Sequence, residues 1–297
     1  MSLSERLDEV WESEILPALH DYISIPALSP TFDAAWAEHG HLDAAVELVR
    51  SWCEARPIEG ATVDVVRLPG RTPVILVDVP ATDGASGGAA DTVLLYGHVD
   101  KQPEMVGWRD DLGPWTPVRD GDRLYGRGGA DDGYAVFTAL GAVEEVRAQG
   151  GSHARCLVLI EASEESGSPD LPAYIDALAD RIGTPSLVVC LDSGCHDYEH
   201  LWVTTSLRGV ASIQVQVDVV TEGLHSGVAS GIVPSSFRIL RHQLDRIEDA
   251  STGRMLLPEL HADPSPSRLA QIRATAEVLG EHLLIDWPFA GTTRSMA

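Results

Sequence analysis

The chain is predicted to be an α/β protein: a three-layer, mostly parallel sheet with helices on both faces, followed by a smaller second domain. Two observations predict it. Short β-branched apolar runs at 92–96, 154–160 and 186–191 alternate with helical stretches near 132–149 and 169–181. Apolar strands that alternate with helices make parallel sheets buried on both faces. From residue 201 the character shifts to a long alternation of polar and apolar residues at 210–220, which suits an antiparallel strand with one wet face.

In chain order, Leu7, Val10, Trp11, Leu16, Leu19 and Ile23 recur at helical spacing over 4–24, and Pro26 and Pro30 end that helix. A second helix is expected over 33–55, with Leu42, Ala45, Val46, Val49 and Cys53 inward. The runs 62–68 and 73–79 read as strands joined by a Pro-Gly turn, and 81–90 as a Gly/Ala/Ser/Asp loop. After the strand at 210–220 comes a turn, 222–227. An amphipathic helix over 234–249 presents Phe237, Leu240, Leu244 and Ile247, and 269–283 is a further helix. No repeat is visible.

Composition excludes whole classes of function. The 297 residues are 44% hydrophobic and 22% charged, enough apolar surface for a core. Asp plus Glu number 45 against 21 Lys plus Arg, a net charge of −24, which repels phosphate backbones and anionic membranes. No nucleic-acid or membrane partner is expected. The charged start lacks the apolar stretch of a secretion signal. The four cysteines, Cys53, Cys156, Cys190 and Cys195, form no CxxC pair and read as free thiols of a reducing compartment. A cytoplasmic location follows as the expectation.

In parallel sheets function gathers just beyond the carboxyl ends of the strands, and there the polar clusters fall. The first of the three runs is followed by Gly97-His98-Val99-Asp100, the second by Glu161-Ala-Ser-Glu164-Glu165-Ser-Gly-Ser168, and the third by Asp192-Ser-Gly194. Between the first two lies Gly126-Arg-Gly-Gly-Ala-Asp131-Asp132-Gly133, at the mouth of a helix. Singly, each has an ordinary explanation: a hydrogen-bonded His, a helix N-cap, a solvated loop, a turn. Together they deliver one imidazole and several carboxylates to one sheet edge. One His with carboxylates and no thiolate suits Zn²⁺, Mn²⁺ or Co²⁺. A carboxylate can bridge two cations, and another can act as general base on a shared water. Adjacent Glu164 and Glu165 could divide such roles.

The motifs Gly97-His98-Val99-Asp100, Gly126-Arg127-Gly128-Gly129-Ala130-Asp131-Asp132, Glu164-Glu165-Ser166-Gly167-Ser168 and Leu224-His225-Ser226-Gly227, in this order, resemble a dinuclear metallopeptidase family. It is the family of carnosinase, cytosolic non-specific dipeptidase, glutamate carboxypeptidase, acetylornithine deacetylase and succinyl-diaminopimelate desuccinylase. The double Asp and the Leu-His-Ser-Gly turn point to its dipeptidase branch. The resemblance covers almost the whole chain. It implies a catalytic domain, here its N-terminal part at 1–205, and a ferredoxin-like α+β lid and dimerisation domain, here incomplete, at 206–297. It implies two divalent ions, Zn²⁺ before Mn²⁺ or Co²⁺, and hydrolysis of the amide bond of small dipeptides in a homodimer formed through the lid.

Site roles follow from the same resemblance. His98 binds the first metal and Asp100 hydrogen-bonds and orients it. Asp131 bridges both metals, Asp192 completes the first site and Glu165 binds the second metal. Glu164 is the general base. His225 stabilises the oxyanion in the partner subunit's site. Two departures stand out. The family continues Asp-Asp with Lys-Gly, whereas here Gly133 and Tyr134 follow. The family's last metal ligand is a His near the C-terminus of a longer chain, and His242, His261 and His282 lack its glycine-rich context. The chain is therefore read as truncated, with weak or no hydrolysis expected of 1–297 alone. The alternatives are an N-acyl amino acid deacylase and a non-catalytic dimerising or metal-binding remnant. Trp108 and Trp115 either shape the loop after Asp100, as the resemblance implies, or simply pack, while His196 and His200 are expected to lie at the surface or outside the ligand shell, and Arg208 to be structural.

Overall fold

The structure, a computed structural model, describes residues 3–82, 91–280, 287–291 and 293. It divides into two units, Met1–Cys195 and His196–Ala297, whereas the boundary expected from sequence was 205/206. Most of the loop expected at 81–90, the last residues of the helix expected over 269–283, and His282 lie outside the described residues.

The first unit opens with α1 (Leu3–Val10) and α2 (Leu16–Ile23), continuous through a wider π turn at Trp11–Ile15. Pro17 at the start of α2 lacks the N–H that would bond back into the preceding turn. The second helix is divided at Gly40 (φ +71°) into α3 (Trp36–His39) and α4 (His41–Glu54). Strands β1 (Thr62–Val66) and β2 (Val74–Val79) follow, then β3 (Thr92–His98). A small hairpin, β4 (Val118–Asp120) and β5 (Arg123–Tyr125), was not expected, although its two-residue loop, Gly121-Asp122, is a hairpin-turn signal. The unit closes with α5 (Ala135–Ala148), β6 (Arg155–Glu161), α6 (Leu171–Ala177), α7 (Ala179–Ile182) and β7 (Pro185–Cys190).

The sheet order is β1-β2-β6-β3-β7. It is mixed rather than mostly parallel: β1–β2 and β2–β6 are antiparallel, β3–β6 and β3–β7 parallel. The link from β1 to β2 is too short for the crossover that a parallel pair needs. Period-2 alternation sends Ile75, Val77, Val79, Cys156, Val158 and Ile160 to one face, where α2, α4 and α5 cover them. Val74, Leu76, Leu157 and Leu159 face the other side, against Tyr174, Leu178 and Ile182 of the α6–α7 region. Full burial of one such Leu is worth about 1.5–3 kcal/mol. The run at 186–191, read as a buried strand, is instead the sheet's edge, with Leu187 54% and Val188 58% exposed.

The second unit carries α8 (Ser226–Ala229), α9 (Ser236–Leu244), the two-residue pair β8 (Glu248–Asp249) and β9 (Arg254–Met255), and α10 (Pro266–Leu279). Ser235 and Ser265 cap α9 and α10 by accepting the backbone N–H of Arg238 and Arg268. The expected strand at 210–220 does not form among the described residues. Alternation specifies a strand only where another strand supplies the ladder, and within this unit only β8 and β9 are paired among the described residues. Leu279 is the sole buried residue among those described in this unit. No helix among the described residues is long and apolar enough to cross a membrane.

Candidate metal centre

Parallel pairing fixes the site. His98, the last residue of β3, is in register with Glu161, the last of β6, so the turn after β6 begins beside His98. Tyr96 pairs with Cys190 at the end of β7, which brings Asp192 to the same edge. The fourth contributor, Asp131, lies on the turn that leads into α5.

His98 is 1% exposed. Its Nδ1–H donates to the backbone carbonyl of Asp100 at 3.0 Å, which leaves Nε2 with its lone pair free. Nε2 is buried without a hydrogen-bond partner. Around it stand Asp131 Oδ1 at 3.4 Å, Asp192 Oδ2 at 3.7 Å and Glu164 Oε2 at 3.9 Å. These separations are long for hydrogen bonds. They are close to the spacing of donors around a shared ion, since tetrahedral bonds of about 2.0–2.1 Å put ligand atoms roughly 3.3 Å apart. Two sets have donor atoms within 4.8 Å of one another: His98, Asp131 and Glu165; and His98, Glu164 and Asp192. His98 is common to both. The sets pair Asp131 and Asp192 with different glutamates, rather than joining both Asp residues to His98 in one set as expected.

The electrostatics favour a cation at this point. Burial opposes the imidazolium, but Asp100, Asp131 and Asp192 outweigh it and raise the His98 pKa. The interaction with His98 in turn holds Asp131 below the usual carboxylate range. Burial raises Glu164, helped by the charge of Asp192. Burial, opposed by a hydrogen bond from Gln102 and reinforced by Asp131, pushes Glu165 up to about 7. Carboxylates crowded around an orphaned imidazole nitrogen are the donor set of a hard or borderline divalent ion. The residues fit such an ion.

Asp100 orients His98 through its carbonyl rather than through its carboxylate, which is 3.5 Å from Nδ1. The carboxylate instead accepts the backbone N–H of Glu164 (3.1 Å) and of Glu165 (3.0 Å). Asp100 thus ties the imidazole to the glutamate turn. Asp100→Asn keeps the carbonyl bond but sets an amide N–H against one of those donors. The expected result is a roughly 10–100-fold loss of Zn²⁺ affinity by calorimetry, the usual cost of disturbing an outer-shell partner.

Sequence reasoning gave no role to four residues that build this edge. Glu161, 1% exposed, accepts hydroxyl bonds from Tyr96 (2.5 Å), Ser168 (2.8 Å) and Ser163 (3.2 Å), and so braces both ends of the turn that carries Glu164 and Glu165. Asp132, also 1% exposed, accepts the His98 N–H at 3.3 Å, and burial pushes it up to about 7. Gln102 donates to Glu165. Lys101 is fully buried. Each lies within or beside a quoted motif, and that position was the available signal. Ser166 meets Ser29 Oγ (2.5 Å) and the Thr31 N–H (2.9 Å), docking the glutamate turn on the loop after α2. Trp115 donates to Glu104 in the loop after Asp100.

His225 lies in the second unit, where its Nδ1 accepts the Gly227 N–H at the start of α8. Among the described residues no His other than His98 joins either ligand set. His200 pairs with Asp197 at the surface, and His196 packs on Trp202.

A model of peptidase family M20/M25/M40 matches residues 94–292. The chain is 33% identical over 220 residues to a cysteinylglycine-S-conjugate dipeptidase of Corynebacterium striatum, covering 71% of this chain and 44% of that protein. It is 29% identical over 206 residues to the beta-Ala-His dipeptidase of Homo sapiens, covering 65% and 38%. The chain thus spans less than half the length of these curated relatives. Its fold is similar to that of the dipeptidase Dug1p of Saccharomyces cerevisiae, with TM-score 0.61, 20% identity, and 99% of this chain and 68% of that one covered. It is also similar to human carnosine dipeptidase 1, with TM-score 0.62, 20% identity, and coverage of 97% and 62%.

Proposed function

The chain belongs to peptidase family M20/M25/M40, and from that premise we propose that it serves the hydrolysis of dipeptide amide bonds at a centre of two divalent ions, Zn²⁺ first among them. The observation that carries this reading is the orphaned Nε2 of His98 facing Asp131, Asp192 and Glu164. The dipeptidase names of the relatives support the substrate class.

In this reading His98 and Asp192 would hold one ion, Glu165 the other, and Asp131 would serve both. When bound, the ions supply an acidified water and polarisation of the substrate carbonyl. Glu164 takes the proton of the attacking water and returns it to the leaving amine. Its raised pKa suits a group that must hold that proton between the two transfers. Asp100 keeps the imidazole and both glutamates in one geometry. His225 is assigned to the oxyanion of the tetrahedral intermediate in the site of a second copy, in a cytoplasmic homodimer whose lid is the second unit.

The test is release of free amino acids from Cys-Gly and Ala-Ala by the chain loaded with Zn²⁺ or Mn²⁺. The expected result is hydrolysis, weak in 1–297 alone, that EDTA abolishes, with N-acetylated amino acids cleaved more slowly. Hydrolysis insensitive to EDTA, or faster on the acetylated compounds, would contradict the assignment.

A further inference from the structure

We propose that Lys101 is the positioning residue that seats the Asp131-bearing turn on the end of α2, and so sets the affinity for divalent ions of the centre to which Asp131 belongs. This rests on the metal-centre reading above. Lys101 is a charged residue with 0% exposure, beside Asp100. Its Nζ donates to the backbone carbonyls of Tyr22 (2.7 Å), Ile23 (3.3 Å) and Ile25 (2.7 Å). Carbonyls at a helix end lack intrahelical donors, and a cation there is favoured by the helix dipole. Three carbonyls match the three N–H bonds of an ammonium, so the buried group is fully satisfied. It also stands 4.0 Å from the centre of the Tyr22 ring.

The stem of Lys101 does the seating. The turn from Gly128 to Gly133 closes with the Gly133 N–H on the Gly128 carbonyl at 2.9 Å and carries Asp131 and Asp132 between. At one end, a Cβ on Gly128 (φ +87°) would lie 2.6–2.9 Å from Cε, Cδ and Cγ of Lys101. At the other, a Cβ on Gly133 would lie 2.1 Å from Cε1 of Tyr22. Both ends of the turn therefore rest on a platform made of the Lys101 stem and the Tyr22 ring. The Lys101 ammonium binds that platform to the carbonyls after α2. Its backbone adds to the anchorage, accepting the Ser29 N–H (3.0 Å) and donating to Ala27 O (2.9 Å). Among the described contacts the side chain touches no candidate ligand, so its action is through the turn. At Gly133 the Tyr22 ring occupies the space that a side chain would need.

The test compares the wild-type chain with Lys101→Met and Gly128→Ala. The first keeps the stem and removes the ammonium; the second keeps the ammonium and lifts the turn off the stem. Co²⁺ binding is measured by calorimetry and by its visible ligand-field spectrum, with thermal melting of the metal-free proteins alongside. The expected result is at least a roughly 10-fold loss of Co²⁺ affinity in each variant, with an altered spectrum at saturation. A folded Lys101→Met variant with wild-type affinity and spectrum overturns the proposal. If Lys101→Met does not fold, Gly128→Ala decides on the same two readouts. A wild-type chain that binds no Co²⁺ would instead overturn the metal-centre reading.

Discussion

Replacing His98 with alanine is expected to abolish divalent-metal binding by this chain. His98 belongs to both candidate ligand sets, and its one free nitrogen can serve one ion, so whichever set forms around it loses its imidazole. The remaining group is a set of carboxylates from Asp131, Asp192, Glu164 and Glu165 with no neutral donor among them. Their mutual repulsion then works against the geometry that an ion needs. Disturbing an outer-shell partner costs about 10–100-fold in affinity; losing the shared ligand is expected to cost more. Calorimetric titration with Zn²⁺ of the metal-free His98→Ala protein checks this. Binding within a few-fold of wild type would remove His98 from the centre.

Glu164→Gln is expected to separate chemistry from binding. A glutamine cannot take the water proton, and loss of a general base typically lowers turnover about 10²–10⁴-fold. Zn²⁺ affinity should stay within a few-fold, because in the proposed arrangement Glu164 faces the water and not an ion. The geometry makes this a sharp test. Glu164 Oε2 is 3.9 Å from Nε2 of His98, scarcely farther than Asp192 at 3.7 Å, and it shares a ligand set with Asp192. If Glu164 is a ligand, the variant will lose metal affinity as well as turnover. Comparing dipeptide hydrolysis with Zn²⁺ affinity in the same protein distinguishes the two roles.

Much of this centre was legible in the sequence because strand ends are punctuated. The run ending at Ile160 stops at Glu161, and the run ending at Tyr96 stops at Gly97-His98. Parallel neighbours must then carry the residues beyond their ends to one edge of the sheet. The register of His98 with Glu161 is that inference in atomic form. Partners were less legible than positions. The sequence marks Asp100 as close to His98 but does not say which of its oxygens faces the imidazole. Likewise, Glu161 reads as the end of a strand until Tyr96, Ser163 and Ser168 are seen to converge on it. A lysine in an acidic chain reads as a surface residue, and only the carbonyls after α2 show why Lys101 is buried. The alternation at 210–220 misled because period-2 patterning states which faces a strand would have, not that a partner strand exists to hold it.

The measurement that bears most directly on the central claim is a Zn²⁺ titration of the metal-free 297-residue chain, read by calorimetry and by metal content after gel filtration. The expected result is tight, saturable uptake approaching two ions per chain and lost in His98→Ala. No retained Zn²⁺ in the wild-type chain, or uptake that His98→Ala leaves unchanged, would contradict a metal centre at this sheet edge.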